Sequence, residues 1–340
     1  MSPHLPSLKR DSFEIAILCA LPLEASAVKA IFEEVSSHTA KAAADPNEYT
    51  TGTISRHHVV LAHMPGMGEI AAAAVASNLK HSFGGIRLAL LVGICGGVPD
   101  EAPGGVRLGD IIIGKHVVQY DFGRQYPDGF KRKSETGDAL GRQSPEIRAF
   151  LSKLESAKKE LEAKTREHLA ALLEKRTPGE IGIRRRKDDL FPADYLHKHH
   201  SPEDCADGTC TAGEGICDAA RKASCAELKC DTDELERRSK PKPAPDIHFG
   251  SVASASTVMK SGEARDALAR AENVIAFDME GAGVWEYLPC AMVKAVCDYA
   301  DSHKNKDWQD YAATAAAAAT KAILEHWTPK GHVQDQSQVT

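Results

Sequence analysis

The stretch from Phe277 to Asp301, FDMEGAGVWEYLPCAMVKAVCDYAD, constrains this chain more than any other. Its run AMVKAVC is apolar and β-branched enough to be a strand buried on both faces. Such strands belong to sheets covered by helices on both sides. The small-residue segment before it reads as a helix with Glu280 at its head, where free N–H groups favour a carboxylate. Asp298 then falls at the C-terminal end of the strand, where open α/β sheets place their ligand sites. One carboxylate to hold hydroxyls and another to donate a proton, in one crevice, are what cleavage of a glycosidic bond requires.

The same alternation runs through the rest of the sequence. FEIAILCA, from Phe13 to Ala20, reads as a buried first strand, and LPLEASAVKAIFEEV as the helix after it. GTISRHHVVLAHMPG reads as a strand pair, GEIAAAAVASNLKH as a helix, and RLALLVGICGGV as a buried strand ending in a Gly-rich turn. LGDIIIGKHVVQYDFG reads as two short strands, IHFGSVASASTVM resumes the strand pattern, and a last helix is predicted from Asp307 to Trp327. Strands alternating with helices predict an α/β sheet covered on both sides. We expect a single domain over residues 1–340, with a core at about 13–130 and 246–327 and an insertion at about 131–245. Within the insertion Ser144 is a candidate N-cap, followed by Pro145 and a long charged helix to about Arg176.

Composition removes several function classes. With 340 residues, 42% of them hydrophobic, the chain can fill one large core. A net charge of −6 supplies no basic field for nucleic acid. No apolar run approaches a membrane span, and the N-terminus lacks a signal cleavage pattern, so a soluble cytoplasmic protein is expected. Cys19, Cys95, Cys290 and Cys297 lie in apolar runs, where free cysteine behaves as a small hydrophobe. Cys205, Cys210, Cys217, Cys225 and Cys230 lie near His197, His199 and His200. Thiolate with imidazole suits zinc, but these spacings are looser than a C-x-x-C knuckle, and intracellular disulfides are disfavoured. A reduced loop ranks first here, a disulfide second and zinc third.

MEGAGV and VCDYAD resemble the nucleoside phosphorylase/nucleosidase superfamily, in particular its methylthioadenosine/adenosylhomocysteine nucleosidase branch. CDYADSHKNKDWQDYAA resembles fungal nucleosidase domains, which carry a similar insertion with an LF-x-A-DY segment, here DLFPADY. The resemblance implies a three-layer fold with a mixed central β-sheet flanked by helices. It implies a purine nucleoside N-ribohydrolase that needs no cofactor or metal, and a homodimer. By motif, Asp298 protonates the purine and Glu280 holds the ribose hydroxyls, with Met279 and Gly96 beside the ribose. Val258 and Met259 fall where the family walls the base.

Glu24, in ALPLEASAV, matches the glutamate that activates water in the hydrolytic branch. Ribosyl transfer passes through a cationic state, and an attacking water must lose a proton. Bacterial-type purine phosphorylases place an arginine and a serine at the Gly-rich turn to grip phosphate. This chain has Leu91 and Ile94 there, and no arginine in the loop before Glu24. Phosphate needs charge-assisted donors, so water is the expected nucleophile. Arg87 or Arg124 could still supply a grip. Tyr120, Asp121 and Phe122, in QYDFGR, are further candidates beside the sugar. The basic runs Ile183 to Lys187 and Phe130 to Lys133 are solvated faces or readers of a 5′-phosphate. The alternatives are a phosphate-dependent phosphorylase, a nucleosidase acting on AMP or ATP, and a nucleotide-sensing interaction module with a silent site.

Overall fold

Period-two burial decides how the layers form. On the first strand, β1 (Ile15–Cys19), Ile15, Ile17 and Cys19 pack into one apolar cluster while Ala16 and Leu18 pack into another. Both faces are buried, as FEIAILCA predicts. The computed structural model describes residues 9–36, 41–99, 105–135, 137–175, 187–210, 215–236 and 244–329. After β1 come α1 (Pro22–Lys29), β2 (Glu34–Val35), β3 (Glu48–Ile54), β4 (His57–His63), α2 (Glu69–Ser82), β5 (Leu88–Gly97) and β6 (Ile111–Gln119). A hairpin of β7 (Gly123–Tyr126) and β8 (Gly129–Arg132) leads to α3 (Pro145–Ser156), α4 (Lys158–Glu174) and α5 (Asp218–Lys222). The chain then forms β9 (Ile247–Ser254), α6 (Gly262–Glu272), β10 (Val274–Asp278), α7 (Gly281–Trp285), β11 (Cys290–Asp298) and α8 (Gln309–His326).

The main sheet has the order β10-β9-β6-β11-β5-β1-β4-β3-β2, and β10 also pairs with β5. That extra pairing closes β5, β10, β9, β6 and β11 into a ring. β1 runs parallel to β4 and β5, and β11 parallel to β5, while β6 runs antiparallel to β11 and β10 antiparallel to β5. The fold is therefore α/β with a mixed central sheet. Helices α1 and α8 cover one face and α2 and α7 the other. In α8 the alanines from Ala312 to Ala319 are buried, and their small side chains let the helix lie close on β5 and β11. Ring closure gathers the ends of β5, β10 and β11 at one mouth.

Three expectations change in detail. The helix read over LPLEASAVKAIFEEV stops at Lys29, and Glu34–Val35 pair with β3 as the edge strand β2. LGDIIIGKHVVQYDFG forms one long strand, β6, because a register shift against β9 between Gly114 and His116 absorbs the irregularity without ending the ladder. The predicted helix after Ser144 is two helices, broken at Ala157 (φ −99°, ψ 18°). The Ser144 cap is present: the Ile147 N–H donates to Ser144 Oγ at 3.3 Å. The leucines of α3 and α4 pack into the same core cluster as β1, β5 and α8. Phe191, Cys205, Cys210, Cys217, Ala220, Leu228 and Cys230 form a small cluster of their own.

Candidate active site

Glu24 stands in the first turn of α1, with Pro22 at the helix start. Its Oε2 accepts the backbone N–H groups of Ala20 and Leu21, each at 2.9 Å, and Oε1 accepts that of Ile94 at 2.8 Å. The carboxylate thereby clasps its own helix start and the Gly-rich end of β5. Gly93 makes this approach feasible, since a Cβ there would land on the Glu24 carboxylate. Burial raises the Glu24 pKa, although Lys294 and the N–H donors pull it back.

Lys294 is the second anchor. It sits mid-strand in β11, 1% exposed, in a run that is otherwise apolar. Its Nζ lies 3.2 Å from Glu280 Oε2 and 3.3 Å from Asp278 Oδ2. Burial alone would lower its pKa, but Glu280, Asp278 and Glu24 outweigh that and raise it, so the ammonium stays charged. Burial also pushes the Asp278 carboxyl up, against the pull of Lys294. Asp278 was not singled out from the sequence. It caps α7, accepting the backbone N–H groups of Glu280 at 3.3 Å and Gly281 at 3.1 Å. Glu280 holds the N-cap position of α7, as expected, but its side chain makes no cap hydrogen bond, and the Asp278 carboxylate satisfies the helix head in its place. Glu280 turns instead to Lys294 and to the Gly68 N–H, 3.4 Å from Oε1.

Asp298 ends β11 and is 5% exposed. Its Oδ1 accepts the Ala300 N–H at 2.9 Å, and its Oδ2 meets Lys304 Nζ at 3.0 Å and the Cys297 thiol at 3.2 Å. Gly96 lies against it: a Cβ there would come within 3.1 Å of Asp298 Oδ1 and 2.9 Å of the Ala300 methyl. Lys304, whose pKa is raised by Asp298 against the effect of burial, was also missed in the sequence. The buried Arg265 braces the loop by donating to the Tyr299 carbonyl at 2.9 Å, with Asp301 Oδ2 3.8 Å away.

Around these groups, Met279 is partly buried. Met259 packs against the apolar cluster of Ala253, Val274, Phe277 and Ala300, whereas Val258 is exposed. The Tyr120 hydroxyl donates to the Thr257 carbonyl at 3.1 Å, and Asp121 Oδ2 accepts the Ser256 N–H at 3.0 Å. Phe122 is exposed, with Lys133 4.9 Å above its ring. Glu69, at the start of α2, is another residue the sequence reading passed over. Gln119 donates to its Oε2 at 2.8 Å, while Oε1 is buried without a partner. Burial, with Asp121 and Asp278 nearby, pushes its pKa up to about 7.

The candidate phosphate donors do not converge here. Leu91 is fully buried in the core, and Ile94 offers its N–H to Glu24. Arg87 precedes β5, at the end away from the site, and pairs with Glu14 and Glu146. Arg124 is exposed on β7. Arg132 of the Phe130 to Lys133 run is held by Glu272 at 2.6 Å. Of the other basic run only Lys187 is described; Arg184, Arg185 and Arg186 lie outside the described residues.

Residues 14–179 match the model described as the phosphorylase superfamily. A nucleotide-binding leucine-rich repeat (NLR)-like protein of Hyaloscypha variabilis is 30% identical over 326 residues, covering 94% of this chain and 30% of that protein. The 5′-methylthioadenosine/S-adenosylhomocysteine nucleosidase of Mycobacterium bovis is 29% identical over 109 residues, 32% of this chain and 39% of that one. The chain thus spans well under half the length of either relative. Among solved structures, futalosine hydrolase of Helicobacter pylori superposes with a TM-score of 0.55 at 15% identity, covering 93% of this chain and 99% of that one. Among the described residues, no helix is long and apolar enough to cross a membrane.

The buried ammonium generates a direct expectation. Removing one partner of a buried ion pair strands the other, at a cost of about 3–5 kcal/mol. Lys294→Met should lower unfolding free energy in urea by that amount. A loss under about 1 kcal/mol, the level of exposed pairs, would mean that Lys294 is not what holds Asp278 and Glu280 in the core.

Proposed function

We propose that this chain, which belongs to the phosphorylase superfamily, is a nucleosidase: a purine nucleoside N-ribohydrolase that releases free base and ribose. The observation that carries the reading is the set of three buried carboxylates, Glu24, Asp278 and Glu280, around the single ammonium of Lys294, with Asp298 across the Gly96 turn. Glu280 accepts from the ribose hydroxyls. Asp298 gives its proton to the purine as the bond from C1′ to the base breaks. To do so it exchanges its Lys304 contact for the base, and Lys304, partly exposed, can swing away. Water bonds to C1′ and its proton passes to Glu24, and solvent then restores both carboxyls. The cationic sugar that forms between these steps is stabilised by the surrounding negative charge. Met259, packed on the cluster that contains Ala300, and Val258 at the rim supply an aliphatic wall for the base. Glu69 Oε1 offers a further acceptor to a hydroxyl.

Phosphate fits this site poorly. A dianion beside Glu24 would join three carboxylates that share one cation, in a setting where unpaired charge is expensive. Water brings no charge, and Glu24 can take its proton. We further propose a homodimer formed over the exposed apolar residues Met67 (53% exposed), Ile70 (86%) and Val258 (42%).

Four outcomes test these proposals. Free ribose should be released from a purine nucleoside at the same rate with and without phosphate, and Asp298→Asn should cut that rate about 100- to 10,000-fold while the protein still folds. Ribose 1-phosphate appearing only when phosphate is present would establish the phosphorylase instead, and an Asp298→Asn rate within a few fold of the parent would remove Asp298 from the mechanism. The pH profile carries a sign: Glu24 acts as a base only when ionised, and its pKa lies above the ordinary 4.5. Activity should therefore fall as pH drops through a midpoint above that value, and an acid limb at or below 4.5 would assign the base elsewhere. Finally, Ile70→Asp should convert a dimer to a monomer in sedimentation velocity; an unchanged dimer would place the interface on another face.

A further inference from the structure

His197, Cys225, Cys230 and His303 come from two separate parts of the chain and converge at one buried point. Their ligand atoms all lie within 4.8 Å of one another. Cys225 Sγ is 3.5 Å from His197 Nδ1 and 3.6 Å from His303 Nδ1, and Cys230 Sγ is 3.6 Å from His197 Nδ1. Zinc bonds of about 2.3 Å to sulfur and 2.0–2.1 Å to nitrogen, at tetrahedral angles, set sulfur–nitrogen edges of about 3.6 Å. The three measured edges have that length.

A second observation, independent of the spacing, concerns the far side of each ring. His197 Nε2 lies 2.9 Å from the Ala223 carbonyl, and His303 Nε2 lies 2.9 Å from the Tyr195 carbonyl. A carbonyl only accepts, so each imidazole carries its proton on Nε2 and turns the Nδ1 lone pair toward the thiols. This is how metal-binding histidines are oriented by their outer partners. Hydrogen bonds from the two thiols would account for only part of the cluster. Each thiol has one proton and each Nδ1 one lone pair, so one of the three contacts would set sulfur and nitrogen lone pairs against each other. A cation at the centre satisfies all of them.

We propose that His197, Cys225, Cys230 and His303 bind one zinc ion. Two thiolates and two imidazoles in a tetrahedron are a donor set that selects zinc. All four positions are filled by side chains, so the ion is structural and takes no part in catalysis. The described residues between 187 and 236 contain only one five-residue helix and two 3-10 turns, with a small apolar cluster. A segment with so little core gains much of its folding energy from a metal. Three ligands belong to this inserted segment, whereas His303 follows Asp298 and immediately precedes Lys304. The ion therefore fastens the insertion to the loop that carries the Asp298 partner. The stack of His303 on Phe191, with centroids 4.0 Å apart, reinforces the same junction. At these four residues the geometry favours zinc over the reduced loop and the disulfide ranked ahead of it on cysteine spacing.

The test is zinc content of the full chain, purified without chelator, by elemental mass spectrometry, with cobalt replacing zinc for spectroscopy. A Cys225→Ser/Cys230→Ser variant should hold one zinc fewer per chain than the parent. Comparing parent with variant cancels any metal held by the separate trio Cys205, Cys210 and Cys217. If that variant does not fold, His303→Cys keeps the proposal open to refutation. It should retain the zinc, and its cobalt form should gain thiolate-to-metal absorption while remaining tetrahedral. Equal zinc in the parent and the folded Cys225→Ser/Cys230→Ser variant would overturn the site. So would a cobalt spectrum unchanged by His303→Cys, or a Cys225–Cys230 disulfide in zinc-free protein.

Discussion

The ammonium of Lys294 is the interaction on which the site depends. A lysine that is 1% exposed, mid-strand in β11, persists only because Asp278 and Glu280 meet it at 3.3 and 3.2 Å. The dependence runs both ways. Without Lys294, Asp278 and Glu280 would be left as unpaired buried carboxylates, at a cost of about 3–5 kcal/mol. Glu24, on the first helix, also feels this cation. Groups from the first helix and from residues 278–294 thus share one electrostatic arrangement, and folding the central sheet is what completes it.

Backbone space is the second constraint. Glu24 and Asp298 both press against β5, and each meets a glycine there: Gly93 beneath the Glu24 carboxylate and Gly96 against Asp298. The strand's small residues are therefore vacancies for side chains arriving from elsewhere. The pairing of β10 with β5, at Ala276 with Gly97 and Phe277 with Gly96, closes the ring at the same spot. One short Gly-rich segment sets both the closure of the barrel and the seats of two carboxylates.

The segment between β8 and β9 divides by how it is stabilised. Helices α3 and α4 bury leucines in the main core, so hydrophobic packing holds them. The Cys-rich part has few apolar contacts of its own and meets the core at His303, whose ring stacks on Phe191 and Tyr195. A proposed metal junction at that place joins a weakly packed segment to a loop whose geometry matters for Asp298. The loop is braced from its other side by Arg265.

Read alone, the sequence determined the α/β class, because short apolar runs such as FEIAILCA and RLALLVGICGGV, alternating with helical segments, read as strands buried on both faces. It also singled out Glu24, Glu280 and Asp298 as candidate site carboxylates, through motifs that sit at element ends and resemble the superfamily. It did not determine that β6 is one strand or that the helix after Ser144 breaks at Ala157, since local bulges and breaks depend on partners distant in sequence. Lys294 was visible as a lone charge in an apolar run, yet nothing local to it names its partners. Only the tertiary structure decided that the Asp278 carboxylate, not that of Glu280, accepts the N–H groups at the helix head, that Lys294 neutralises both, and that Lys304 rests on Asp298. The metal-ligand geometry was hidden for the same reason. Residues 197 and 303 lie too far apart along the chain for spacing to relate them, and a site assembled through space has no period in sequence.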